Sequence, residues 1–222
     1  MPETPHIVSD VMTLTVVAVG RDAPFKEIVE TMEQWNVSAM PVLEGEERVV
    51  GVVSEADLLP KEEFRDIDPG LVEQRRRLSD IAKAGAVTAE GLMSAPAITV
   101  RPDATLAQAA RIMAVRRVKR LPVVDDVGML QGIVSRADLL KVFLRPDDDI
   151  EEEARRTVVS YLFPAFSHAI HVNVHEGVVT LRGHIQDTSL ISVAVRLVRA
   201  IEGVVDVESR LTGESTAPAR PE

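Results

Sequence analysis

The chain has 222 residues, 45% of them apolar and 27% charged, which gives room for one large domain or two small ones of ordinary soluble composition. It has no cysteine, so a disulfide framework, cysteine-ligated zinc, an iron–sulfur cluster and a thiol nucleophile are all excluded. A net charge of −10 argues against general nucleic-acid binding, and no apolar run approaches the roughly 18 to 20 residues of a membrane span.

The first residues, Met1-Pro2-Glu3-Thr4-Pro5-His6, have neither the basic start nor the apolar run of an export signal, so the expected location is the cytoplasm. Aromatic residues are only 3%, which leaves the core to Val, Leu, Ile, Ala and Met. Val16 to Val19 reads as an extended run. Asp22 and Pro24 then suit the start of a helix whose buried face is Phe25, Ile28, Val29 and Met32. Trp35 and the methionines also sit at core-like spacing. Val37 to Leu43 reads as a strand carrying Pro41, which assigns it to an edge or an irregular entry. After the turn Glu44 to Glu47, Val49 to Val53 forms the next strand and Glu55 to Leu59 begins a second helix.

Residues 91 to 144 repeat this plan without a gap. Met12 and Met93, Pro41 and Pro122, Gly51 and Gly132, and Asp57 and Asp138 are each 81 positions apart. The helix face recurs as Leu106, Ala109, Ala110 and Met113. Two copies of a short unit are expected to close on each other as a pseudo-symmetric pair, because each has little core of its own. Between them, residues 61 to 89 form a charged, helix-permissive linker. Its run Arg75-Arg76-Arg77 reads as a solvated helix face.

Beyond Arg145-Pro146 the pattern changes. Asp147-Asp148-Asp149 suits a helix N-terminus, and Ile150, Ala154, Val158 and Leu162 fall on one helical face up to Pro164. Ile170, Val172 and Val174 alternate with His171, Asn173 and His175 in a strand, and Glu176-Gly177 turns into the partner Val179 to Ile185. A helix with Leu190, Val193, Ala194, Leu197, Val198 and Ile201 inward, and a last strand from Val204 to Leu211, complete an order of helix, strand, strand, helix, strand. The tail from 213 to 222 is polar and proline-containing and reads as disordered.

The strand ends are the chemical signal. Val53-Ser54-Glu55-Ala56-Asp57 and Val134-Ser135-Arg136-Ala137-Asp138 each place a Ser and an Asp where a strand runs into a helix. Such a pair holds a polar small molecule, or it caps the helix as a capping box. The local sequence fits both, and both stay open at this point. His168, His171, His175 and His184 do not read as a metal site: His171 and His175 are four apart where a strand needs two, and no acidic or cysteine partner lies at ligand spacing. No Gly-x-Ser-x-Gly, P-loop, dinucleotide fingerprint or His-Glu-x-x-His occurs, so an enzyme is not expected.

Several motifs, each present twice in register, resemble a tandem pair of CBS domains, a Bateman module. They are Asp10-Val11-Met12-Thr13 with Gly91-Leu92-Met93-Ser94, Ala39-Met40-Pro41-Val42 with Arg120-Leu121-Pro122-Val123, and the two strand ends above. Val172 to Gly183 and Ile201 to Val207, with three glycines read at turn positions, resemble a BON domain. The resemblance implies an α+β fold in which repeats at 7–60 and 90–146 pack as the Bateman module, followed by a small αββαβ BON domain at 147–212.

It further implies a regulatory protein that binds an adenosyl ligand (AMP, ADP, ATP or S-adenosylmethionine) between the repeats. Ser54, Asp57, Ser135 and Asp138 would then hold ribose. Lys119, Arg120 and Arg136 would meet phosphate, and the backbone of Val16, Val17, Ile98 and Thr99 would meet adenine. No cofactor is implied beyond that regulatory nucleotide. The family also implies a homodimer through the helices after each Asp, and a protein or phospholipid partner for the BON domain. The alternative is a ligand-free dimerisation scaffold. Both Ser/Asp pairs are present, yet Lys119 and Arg120 belong to the second repeat, so one cleft is expected to bind more tightly than the other.

Overall fold

A computed structural model describes residues 6–65, 77–165 and 167–213. The chain divides into two compact units, one from His6 to Leu139 and one from Leu140 onward. Arg75, Arg76 and nearly all of the expected disordered tail lie outside the described residues.

In the first unit, helix α1 (Val8–Val11) and the two-residue strand β1 (Val19–Gly20) precede α2 (Phe25–Trp35), β2 (Ala39–Glu44) and β3 (Arg48–Ser54). Short helices α3 (Glu55–Leu58) and α4 (Pro60–Glu63) follow. The extended run expected from Val16 is confined to Val19 and Gly20. The sheet order is β1-β2-β3, with β1 parallel and β3 antiparallel to β2. Pro41 therefore lies in the middle strand and not at an edge. The second repeat shows why this is tolerated. There the Val100 N–H donates to the Pro122 carbonyl at 3.0 Å and the Val124 N–H donates back to Val100 at 3.0 Å, so the neighbouring segment uses the proline's acceptor and never its missing donor.

The linker supplies α5 (Leu78–Gly85), and the second repeat runs α6 (Ala89–Leu92), α7 (Leu106–Arg116), β4 (Arg120–Val124), β5 (Leu130–Ser135) and α8 (Arg136–Leu140). Register irregularities fall at Val42/Leu43 and Val123/Val124, again 81 apart. Helix α7 begins in a full capping box: the Gln108 N–H donates to Thr105 Oγ1 at 3.2 Å and the Thr105 N–H to Gln108 Oε1 at 2.9 Å. Helix α2 is capped at Pro24, not Asp22. Ile28, Met32, Leu106, Ala109 and Met113 are buried as their spacing requires. Val29 and Ala110, at equivalent positions, face outward. Trp35, at the end of α2, is 58% exposed and is not a core residue.

The repeats exchange their entry segments. Ser94 of the second repeat bridges Val52 of β3, and Thr13 of the first bridges Ile133 of β5. Ala89 and Leu92 of α6 are buried in the first repeat's core beside Ile28, Met40 and Val53. The exchange explains the two glycines 81 positions apart. A Cβ on Gly51 would come within 2.8 Å of Met93 Cγ, and one on Gly132 within 2.7 Å of the Met12 sulfur and 2.9 Å of the Thr13 carbonyl oxygen. The rigid carbonyl cannot yield as a methionine tip does. Gly132→Ala is therefore expected to cost about 1–3 kcal/mol, more than Gly51→Ala, in urea denaturation of the two variants.

The second unit has α9 (Asp147–Ala154), a π-turn at Arg155–Val159, α10 (Ser160–Leu162), β6 (Ile170–His175), β7 (Val178–Ile185), α11 (Leu190–Arg199) and β8 (Asp206–Gly213). Strand β7 is central, antiparallel to β6 and parallel to β8. The π-turn inserts a residue into the helical register. Val159 and Phe163 are consequently buried along with Ile150, Ala154 and Val158, and Leu162 is left at the margin. In the hairpin Glu176 (φ 51°) and Gly177 (φ 73°) are both left-handed, as a two-residue turn requires. Their N–H groups donate to the two Asp147 carboxylate oxygens at 2.8 and 2.9 Å, so the first acid of the helix also clamps the turn. Gly183 is not a turn residue. It lies within β7 opposite Ile170, where a Cβ would come within 3.1 Å of the Ile170 Cα.

Candidate functional site

Strand β3 ends at Ser54 and delivers Asp57 to the first turn of α3. One carboxylate oxygen of Asp57, Oδ2, accepts from the Ser54 N–H at 2.8 Å and from Ser54 Oγ at 2.6 Å. That is the cap, and it occupies a single oxygen. Oδ1 is turned elsewhere: it is paired with Lys83 Nζ of α5 and accepts from Ser94 Oγ at 3.2 Å. Asp57 is the buried charged residue among the described residues, with 8% of its surface exposed. The two readings of the motif are therefore compatible, since capping uses one carboxylate oxygen and leaves Oδ1 to other partners.

The cleft encloses about 270 Å³. The first repeat lines it with Ser38, Ala39, Val52 and the turn from Ser54 to Asp57. The second lines it with Ser94, Pro96, Ile98 and the segment Arg117 to Arg120. The two halves of the expected site thus come from opposite repeats, because the exchanged entry segment carries Ser94 and Ile98 to β3. Arg120 reaches across, donating to Ser38 Oγ at 2.7 Å and to the Ala39 carbonyl at 3.3 Å. Among the described residues neither Arg117 nor Lys119 is in an ion pair, and both are exposed at the cleft.

The remaining predicted residues lie apart from this cleft. Ser135 and Asp138 form the same cap in the second repeat, with the Ser135 N–H and Oγ at 2.9 and 2.6 Å from Asp138 Oδ2. Asp138 is only half-buried. Arg136 is spent on the Val118 carbonyl, at 3.2 Å from Nε and 3.0 Å from Nη2. Val17 packs on the first repeat's core, and Thr99 lines a separate depression with Arg48 and Val50. At the positions 81 earlier, Arg117, Lys119 and Arg120 correspond to Asn36, Ser38 and Ala39. None of these three equivalents is charged.

Sequence reading missed Lys83, Ser94 as a contact of Asp57, and Arg117. The 81-residue offset carried a signal for Ser94, which corresponds to Thr13. Lys83 lies in the unrepeated linker and gave none. Helix α5 is fastened to the first repeat at both ends. Arg77 pairs with Glu63 and lies 2.8 Å from Asp80, and its guanidinium sits 4.9 Å from the Phe64 ring centre. Lys61 Nζ donates to the Ala84 carbonyl at 2.8 Å. Arg77 is thus a clasp and not a solvated charge.

The Arg77 hydrogen bonds hold the Glu63 carboxyl below its ordinary value of 4.5. A depressed carboxylate stabilises the fold above its unfolded value, and that contribution is lost as pH falls through the folded value. The clasp is therefore expected to hold at neutral pH and open on acidification below about 4.5. An acid titration of wild type and Glu63→Gln followed by amide exchange in α5 checks this, the variant losing the pH dependence.

Arg117 also carries a backbone signature. Its φ of 57° is left-handed, as is that of Asn36 (51°) at the equivalent helix end. An arginine there is strained relative to asparagine. Arg117→Asn is expected to raise unfolding stability by about 0.5–1 kcal/mol in urea melts, a gain forgone for a cation at the cleft.

Two exchanged strand–helix repeats that share a cleft around a buried carboxylate define a tandem-repeat module followed by a small α+β unit. The chain belongs to the CBS-domain family: the CBS domain model matches residues 8–61 and 89–145, and a BON domain follows at 146–214. It is 29% identical over 154 residues to an uncharacterised protein of Methanocaldococcus jannaschii, covering 62% of this chain and 91% of that one. The solved structure of CBSX2 in complex with AMP shares 29% identity and a TM-score of 0.55 over 63% of this chain and 97% of the other. An inosine-5′-monophosphate dehydrogenase of M. jannaschii matches at 24% identity over 155 residues, which is 27% of that enzyme's length.

Proposed function

We propose that the chain is a regulatory sensor that binds an adenine nucleotide in the cleft at Asp57. One observation carries the reading: a buried carboxylate, only one oxygen of which is used by the helix cap, lines a cleft together with Arg117, Lys119 and Arg120 from the other repeat. A carboxylate accepts charge-assisted hydrogen bonds from the two hydroxyls of a ribose, and convergent cations suit its phosphate. The AMP complex of CBSX2, similar over 63% of this chain, supports the ligand class. In this reading Ser54 and Asp57 hold ribose, Lys119 and Arg120 meet phosphate and Ile98 meets adenine. Ser135 and Asp138, with Val16, Val17 and Arg136, belong to a weaker second cleft, and Thr99 flanks the first.

Binding shifts the population of repeat orientations. The output passes through a homodimer formed on the helices after each Asp and through a protein partner of the BON domain. The sensor acts in the cytoplasm and has no catalytic activity of its own. No helix among the described residues is long and apolar enough to cross a membrane. Thermal shift with AMP, ADP, ATP, S-adenosylmethionine and NADH tests the reading. A rise in melting temperature with an adenine nucleotide is expected by linkage, and no rise with any of them at millimolar concentration overturns it in favour of an empty scaffold.

A further inference from the structure

We propose that Lys83 makes the Asp57 cleft selective for adenosyl ligands that carry phosphate. This deepens the nucleotide-sensor reading and rests on it. The oxygen that a ribose would use is already engaged: Lys83 Nζ pairs with Asp57 Oδ1 and lies 3.2 Å from Ser94 Oγ, which itself bonds Oδ1. Both charged side chains are largely buried, at 18% and 11% exposure.

A ligand must therefore exchange partners with Lys83. When ribose hydroxyls take Oδ1, a partly buried ammonium loses its counter-charge, which is costly unless the ligand replaces it. A neutral adenosine derivative supplies no anion, whereas a phosphate does. The surroundings bias the same way. Arg117, Lys119 and Arg120 line the cleft and Lys83 pairs with Asp57, against the two carboxylates of Glu55 and Asp57. A cationic sulfonium ligand is disfavoured by that surplus. Helix α5, which carries Lys83, lies outside the repeat.

Isothermal titration of the full chain with adenosine, 5′-methylthioadenosine and ADP tests this, in wild type, Lys83→Met and Lys83→Arg. Wild type is expected to bind ADP at least about tenfold more tightly than the two neutral ligands. Lys83→Met is expected to tighten the neutral ligands, whose competitor for Oδ1 is gone, and to weaken ADP, so that the ratio shrinks by about tenfold. Lys83→Arg should keep the wild-type ratio. A merely structural lysine would move all three affinities together. Parallel changes, or an unchanged ratio with ADP still bound, overturn the selectivity role and leave the sensor reading standing. If none of the three ligands binds wild type, the sensor reading falls and the inference with it.

Discussion

Asp57→Ala is expected to reduce adenine nucleotide affinity by about a hundredfold or more, while Asp138→Ala leaves the tight site nearly intact. Two hydrogen bonds from ribose hydroxyls to a carboxylate contribute about 1.5–3 kcal/mol each, and about 2.7 kcal/mol corresponds to a factor of 100. The asymmetry has a structural cause. Asp57 is buried and shares its cleft with the cationic segment Arg117–Arg120, whereas Asp138 is half-buried and the positions 81 before Arg117, Lys119 and Arg120 are the uncharged Asn36, Ser38 and Ala39. Because Asp57 also caps α3 and holds Lys83, alanine should lower stability as well, by roughly 1–2 kcal/mol for the lost cap. Asp57→Asn separates the effects: its side-chain oxygen still accepts from the Ser54 N–H, but it has no charge for ribose or Lys83. Isothermal titration beside urea melts should show weakened binding with the cap retained, and a loss of stability that reports the counter-charge taken from Lys83. Loss of affinity in Asp138→Ala with full retention in Asp57→Ala would reverse the assignment of the clefts.

Glu153→Ala is expected to destabilise the C-terminal unit by about 3 kcal/mol, the larger of the two stability effects. Glu153 Oε2 lies 2.9 Å from Arg145 Nη2, with the side chains 14% and 16% exposed. Arg145 Nη1 also donates to the Glu202 carbonyl at 2.9 Å, so one guanidinium ties the segment before α9 to α9 itself and to the loop after α11. Truncating the acid takes one close counter-charge from a largely buried guanidinium and opens a cavity beside it, which costs more than the pair contributes. Glu153→Gln retains the volume and an acceptor and should recover part of the loss. Thermal unfolding monitored on the C-terminal unit checks both. A change under 1 kcal/mol in the alanine variant would mean that water already screens the pair.

The one-dimensional pattern was sufficient for the order of elements in both units. Apolar alternation placed Ile170, Val172 and Val174 on the buried face of β6, and the 81-residue offset revealed the pseudo-symmetric pair, because these signals depend only on neighbours along the chain. Local patterns erred where a contact or a backbone insertion intervened. The π-turn carried burial from Leu162 to Phe163. Pro41 occupied a middle strand because its neighbour asks only for a carbonyl, and Trp35 was left outside by the direction of its helix end.

At the strand end, the residues alone established that Ser54 and Asp57 could cap a helix, hold a hydroxyl-bearing ligand, or both. Only the tertiary structure decided how the carboxylate is divided, with Oδ2 given to the cap and Oδ1 to Lys83 and Ser94. The pairing of Met93 with Gly51 and of Met12 with Gly132, and the meeting of Asp57 with cations of the other repeat, likewise come from the exchange of entry segments. The physical reason is the same throughout. An internal repeat reports which residues are equivalent, but equivalent residues need not touch. Which ones meet is determined by how each half buries the apolar surface it cannot cover alone.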